Sequence, residues 1–266
     1  MSLALDARRV AMLREIGLRL LPPIREPSAE PEVPVARAGD PAAPLQHGVE
    51  PAGPTARAAS GTPAANSPPA GSGPDVAGLD WDGLEAAARE LAARDGLGRS
   101  VVLGSGPRRA VWMVIGEAPG EAEEQQGEPF AGAAGKLLDG MLRAIGLDRA
   151  RDAYVTNLLK CRPPGDRNPE PDELAAWEPL LRREVALVQP RVLLVMGRFT
   201  VPRLLQTPEP IGRLRGRTHA YEGVPVVVTY HPTYLLRNLP DKARAWTDLC
   251  FAQAFMAGAQ PGGSGR

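Results

Sequence analysis

Four short, mostly apolar runs, separated by stretches of helical character, constrain this chain more than any other feature. They are residues 111–115 (VWMVI), 154–159 (YVTNLL), 192–196 (VLLVM) and 224–229 (VPVVVT). Good helix formers fill 81–94, 134–145, 172–188 behind Pro171, 199–205 and 242–256. Strands that alternate with helices and do not alternate apolar with polar must bury both faces. This predicts an α/β domain with a parallel sheet covered on both sides. Such sheets bind ligands beyond the carboxyl ends of their strands, and the most unusual sequence follows Ile115, Leu158 and Thr229.

Composition sets the limits of that domain. Of 29 prolines among 266 residues, 13 fall between Pro22 and Pro74, where large apolar side chains are scarce. Such a stretch buries too little surface to offset chain entropy, so 22–77 is expected to be disordered linker, as is the tail 258–266. The folded domain is expected over 78–257. Ahead of the linker, Val10, Leu13, Ile16 and Leu20 share one face of a helix that Pro22 and Pro23 stop, so 1–21 either docks on a partner or folds back on the domain. Thirty-one basic and 31 acidic residues cancel, which excludes bulk electrostatic coating of DNA or membrane. Eight Lys or Arg against three acids between Arg198 and Arg244 leave room for a local basic face. Cys161 and Cys250 form no C-x-x-C pair, which argues against a zinc site or disulfide framework. With no signal or membrane-spanning segment evident, a cytoplasmic protein is expected.

Three segments carry candidate chemistry. In Gly116-Glu117-Ala118-Pro119-Gly120, two glycines flank a proline at a strand end, allowing a tight turn with amides open to a ligand. Beyond it lie Glu121 to Glu124, which also suit an acidic first helical turn. Phe130 then stands in a Gly/Pro-bounded loop, where an aromatic either stacks on a planar ring or staples the loop to the core. In the second segment, Asn157 near a strand end can offer one acceptor and two donors to a base edge, or cap the next turn. In the third, His231 follows the strand ending near Thr229 and should face the pocket rim, with Tyr234, Leu235, Leu236 and Arg237 in a loop after it.

In this order and spacing, GEAPGEAEEQQGEPFAGAAGKLLDGML, TNLLKCRPPGDRNPEP, IGRLRGR and TYHPTYLLRN resemble the uracil-DNA glycosylase superfamily, and within it family 4. The resemblance implies a three-layer α/β/α sandwich around a four-stranded parallel sheet and an enzyme that removes uracil from DNA. It implies that Gly116, Ala118, Pro119 and Gly120 shape the pocket, that Phe130 stacks on the base and that Asn157 reads its edge. His231 would stabilise the departing uracil anion, and either Glu117 or Glu123 would position water or tune His231. Leu235 and Leu236 would wedge into the base stack, with Tyr234 beside them, while Arg237 and the group Arg213, Arg215 and Arg217 hold phosphates.

The chain departs from that family at one place. Family 4 implies a four-iron four-sulfur cluster on four cysteines, and of these only Cys161 is present; 89–99 has no cysteine, and Trp177 stands where the fourth is expected. A domain with no cofactor and no metal is therefore expected, with Trp177 filling vacated volume. A second resemblance concerns Arg8-Arg9, Leu13 and Ile16-Gly17-Leu18, which are similar to the N-terminus of the psi subunit of bacterial DNA polymerase III. That likeness implies docking on a clamp loader or other replisome protein through 1–21, by an active glycosylase or by a weakly active or inactive adaptor.

Overall fold

The computed structural model describes residues 76–94 and 100–258. The helix expected within 1–21, the linker up to residue 75 and the tail from 259 lie outside the described residues.

Along the chain run α1 (Trp81–Arg94), β1 (Trp112–Gly116), α2 (Glu121–Gln126), α3 (Gly132–Ala144), α4 (Arg149–Asp152) and β2 (Ala153–Asn157). They are followed by α5 (Pro171–Val188), β3 (Val192–Met196), α6 (Thr200–Leu205), α7 (Ile211–Leu214), β4 (Thr218–Tyr221), β5 (Val224–Thr229), α8 (Pro232–Arg237) and α9 (Lys242–Met256). The strands lie in the order β2-β1-β3-β5-β4. The four expected strands are parallel, and their odd and even residues face opposite layers. Met113, Ile115, Leu193 and Val195 pack with Leu84, Leu91, Trp177 and Leu181 of α1 and α5. Trp112, Val114, Leu194 and Met196 pack with Leu138, Met141 and Leu249 of α3 and α9. This is the three-layer sandwich.

Two local expectations are corrected. The sheet has a fifth strand, β4, antiparallel to β5. Its sequence THAY has no apolar run and buries only Tyr221, so periodicity gives no signal. The pairing is made by the two-residue turn Glu222-Gly223, both at positive φ (49° and 76°), which suits the twist of a hairpin. Residues 232–237 are a short helix rather than a loop, with His231 as N-cap and Pro232 in the first turn.

Candidate active site

β1 and β2 end side by side, with Gly116 the register partner of Asn157. A Cβ on Gly116 would lie 2.3 Å from Asn157 Oδ1 and 2.6 Å from Phe130 Cζ, so only glycine permits this approach. Asn157 Nδ2 donates to Glu123 Oε1 (2.9 Å). Because a carboxylate only accepts, this bond orients the amide. Asn157 Oδ1 is buried and has no hydrogen-bond partner.

Glu123 organises more than the amide. Its Oε1 also accepts from Phe130 N (2.6 Å), and its Oε2 accepts from Gly120 N (2.7 Å) at the start of α2. These bonds occupy the carboxylate inside the protein, so of the two expected glutamates it is the one that holds the loop and Asn157. Phe130 itself is 1% exposed and held at φ 52°, unusual for an aromatic residue. Arg149 secures its loop, donating Nη1 to Phe130 O (3.1 Å) and Nη2 to Pro129 O. Gly135 leaves room for the same carbonyl, where a Cβ would come within 1.7 Å.

His231 stacks on Phe130 with ring centroids 5.1 Å apart and planes 25° from parallel. As the N-cap of α8, its Nδ1 accepts from Thr233 N (3.3 Å) and also contacts Thr233 Oγ1; with Nδ1 as acceptor the neutral ring carries its proton on Nε2. Burial, aided by Arg237, lowers its pKa from 6.5 to about 4, so the imidazole is neutral at physiological pH.

In front of this group opens a cavity of about 680 Å³ lined by Glu117, Ala118, Pro119, Arg198, His231 and Arg237, among others. Glu117 Oε1 accepts from Phe199 N (2.6 Å). Burial raises the Glu117 pKa above 4.5, against the opposing pull of that backbone bond and Arg198. Phe130 and Asn157 do not line the cavity: each is 1% exposed.

The structure separates the expected DNA contacts. Leu235 is 1% exposed and packed in the core, whereas Leu236 is 40% exposed. Leu239, three residues on and marked by no apolar period, is 56% exposed. Tyr234 is partly exposed, its hydroxyl donating to Asp241 Oδ2 (2.6 Å). Arg215 is engaged within the protein. Its guanidinium holds Asp248 through Nε (2.6 Å) and Nη2 (3.0 Å) and stacks on Tyr230, so its charge is spent inside the protein. Arg217 pairs with Glu209 at the surface (3.0 Å). Arg213 and Arg237 are exposed and make no ion pair among the described residues.

The residues present do not fit an iron-sulfur cluster. Cys161 and Trp177 are fully buried in one apolar cluster, and the Trp177 Nε1 is buried with no hydrogen-bond partner. Among the described residues no group of His, Cys, Asp and Glu is placed to hold a metal ion.

Fold and site together define an α/β/α protein that gathers an aromatic ring, an oriented amide and a neutral imidazole at its strand ends. More narrowly, the chain belongs to the uracil DNA glycosylase superfamily, whose family model matches residues 103–252. It is 41% identical over 151 residues to the type-4 uracil-DNA glycosylase of Saccharolobus solfataricus, covering 53% of this chain and 69% of that one. The type-4 enzyme of Archaeoglobus fulgidus is 41% identical over 143 residues (51% and 71% of the two chains). That of Thermotoga maritima is 37% identical over 147 residues (54% and 76%).

Proposed function

We infer that the chain hydrolyses the N-glycosidic bond of deoxyuridine in DNA and releases uracil, the type-4 uracil-DNA glycosylase activity of base excision repair. The observation that carries the site assignment is the buried Asn157 Oδ1, left without a partner by an amide that Glu123 has already oriented. Uracil N3–H donates to this oxygen, and uracil O4 accepts the second Nδ2 hydrogen. Cytosine offers the opposite pattern, an acceptor at N3 and a donor at C4, and leaves the oxygen unsatisfied.

The chemistry follows from the neighbours. As the C1′–N1 bond breaks, negative charge grows on the base, and His231 Nε2–H donates to the developing O2 oxyanion. Glu117 orients a water in the cavity and takes its proton as the new C1′–O bond forms. Because Phe130 is sealed beneath His231, entry of the flipped base separates these two rings. Leu236 with Leu239 fills the space the base leaves in the stack, and Arg213, Arg237 and Arg198 meet phosphates. Residues 1–21 would carry this domain to a replisome protein such as the clamp loader, a role supported by the helical spacing of Val10, Leu13, Ile16 and Leu20 in their sequence.

The test is single-turnover release of uracil from an oligonucleotide. His231→Ala should slow the chemical step by about two to three orders of magnitude while DNA binding is nearly unchanged. Wild-type protein that leaves uracil-containing DNA intact would overturn the reading.

A further inference from the structure

We propose that Lys160 and Glu184, an ion pair buried behind β2, are positioning residues that fix the Asn157 peptide and thereby aim its amide at the base. The proposal rests on the glycosylase reading and adds two residues to its recognition machinery.

The outer edge of β2 has no neighbouring strand in the sheet. Unpaired peptide groups there must find other partners if buried. Val155 finds Ser105, exchanging both backbone bonds (2.8 and 2.9 Å). Asn157, two residues on, points its carbonyl to the same side. There the bond comes from a side chain: Lys160 Nζ donates to Asn157 O at 2.6 Å. The same ammonium donates to Thr156 Oγ1 (2.7 Å) and Glu184 Oε2 (2.6 Å), so its three protons have three acceptors. Glu184 is held in turn by Thr156 Oγ1 (3.1 Å) and Tyr154 Oη (3.3 Å).

Both charged side chains are 1% exposed. Burying such a pair is costly, and apolar side chains of similar size often serve stability equally well. What they would not supply is a donor for the last carbonyl of β2. Asn157 is thus gripped twice, by Glu123 at its side chain and by Lys160 at its backbone. With both ends held, Oδ1 lies against Gly116.

The test replaces the pair without leaving a lone buried charge. Lys160→Met with Glu184→Leu should fold, with a lowered melting temperature because Asn157 O, Thr156 Oγ1 and Tyr154 Oη lose partners. Its kcat/KM on uracil-containing DNA should fall on the order of 10- to 100-fold, as expected for a displaced binding group. The preference for uracil over cytosine should fall with it. In an Asn157→Ala background the same replacement should change the rate by no more than about twofold, because the residue it positions is gone. Lys160→Arg, which keeps the charge but not the geometry, should show the same dependence on Asn157. Equal losses with and without Asn157, full activity of the folded pair variant, or failure of both variants to fold would overturn the proposal. Inactivity of the wild-type protein would instead fail the glycosylase reading itself.

Discussion

Glu117 and His231 face one cavity, and burial moves their proton affinities in opposite directions. The Glu117 pKa is raised above 4.5, and that of His231 is lowered from 6.5 to about 4. If Glu117 must be ionised to take a proton from water, the acid limb of uracil release lies above the ordinary carboxylate range. Glu117→Gln should abolish that limb and slow release by about 10²- to 10⁴-fold, read from single-turnover rates across pH. His231 stays neutral throughout that window and adds no second limb above about pH 4. Its stability linkage has a definite sign. Between about pH 4 and 6.5 the unfolded chain binds more protons at this residue, so its contribution is present above 6.5 and lost as pH falls toward 4. His231→Ala should therefore flatten the rise of melting temperature over that interval. A slope unchanged from wild type would count against a neutral imidazole at the cavity wall. Gly116→Ala tests the closeness of the strand ends. Its Cβ would displace Asn157 or Phe130, so base release should fall sharply along with an overpacking loss of about 1–3 kcal/mol in urea unfolding.

At the scale of elements, α8 divides two leucines that are adjacent in sequence. Leu235 turns into the core beside Leu138 and Leu249, while Leu236 turns out, with Leu239 exposed beyond the helix end. Leu235→Ala should cost about 2–5 kcal/mol in denaturant unfolding. Leu236→Ala with Leu239→Ala should change stability by less than about 0.5 kcal/mol each. The latter pair should slow uracil release from duplex DNA much more than from single strands, where no stack has to be filled. Similar slowing on both substrates would remove the wedge role. The basic stretch between Arg198 and Arg244 also divides. Arg203, Arg215, Arg217 and Arg244 pair with Glu178, Asp248, Glu209 and Asp241, so less of its charge is available to DNA than its composition suggests.

For the whole molecule, the described domain contains the catalytic candidates and their supports, while the apolar face expected at Val10, Leu13, Ile16 and Leu20 lies outside the described residues. Deleting 1–21 should leave melting temperature and uracil release nearly unchanged while abolishing capture of a clamp-loader component. A marked fall in melting temperature would show that the segment packs on its own domain. Cys161 and Trp177 sit in the apolar core, and their burial stabilises this layer of the domain.

The parallel strands, the long helices and the residue types gathered at the strand ends were legible in the sequence. Backbone sterics and face periodicity act over a few residues, so α1 and α9 were expected with their observed limits and Gly116, Asn157 and His231 at strand ends. Partners distant in the chain were not legible. That Glu123 serves Asn157, that Asp248 occupies Arg215, and that Glu184 and Lys160 meet behind β2 depend on separations of 34, 33 and 24 residues. The exposure of Leu236 rather than Leu235 likewise depends on how α8 is rotated against α3 and α9. Local sequence specifies which groups exist and their spacing; packing between layers decides which of them are consumed inside the protein and which remain for the substrate.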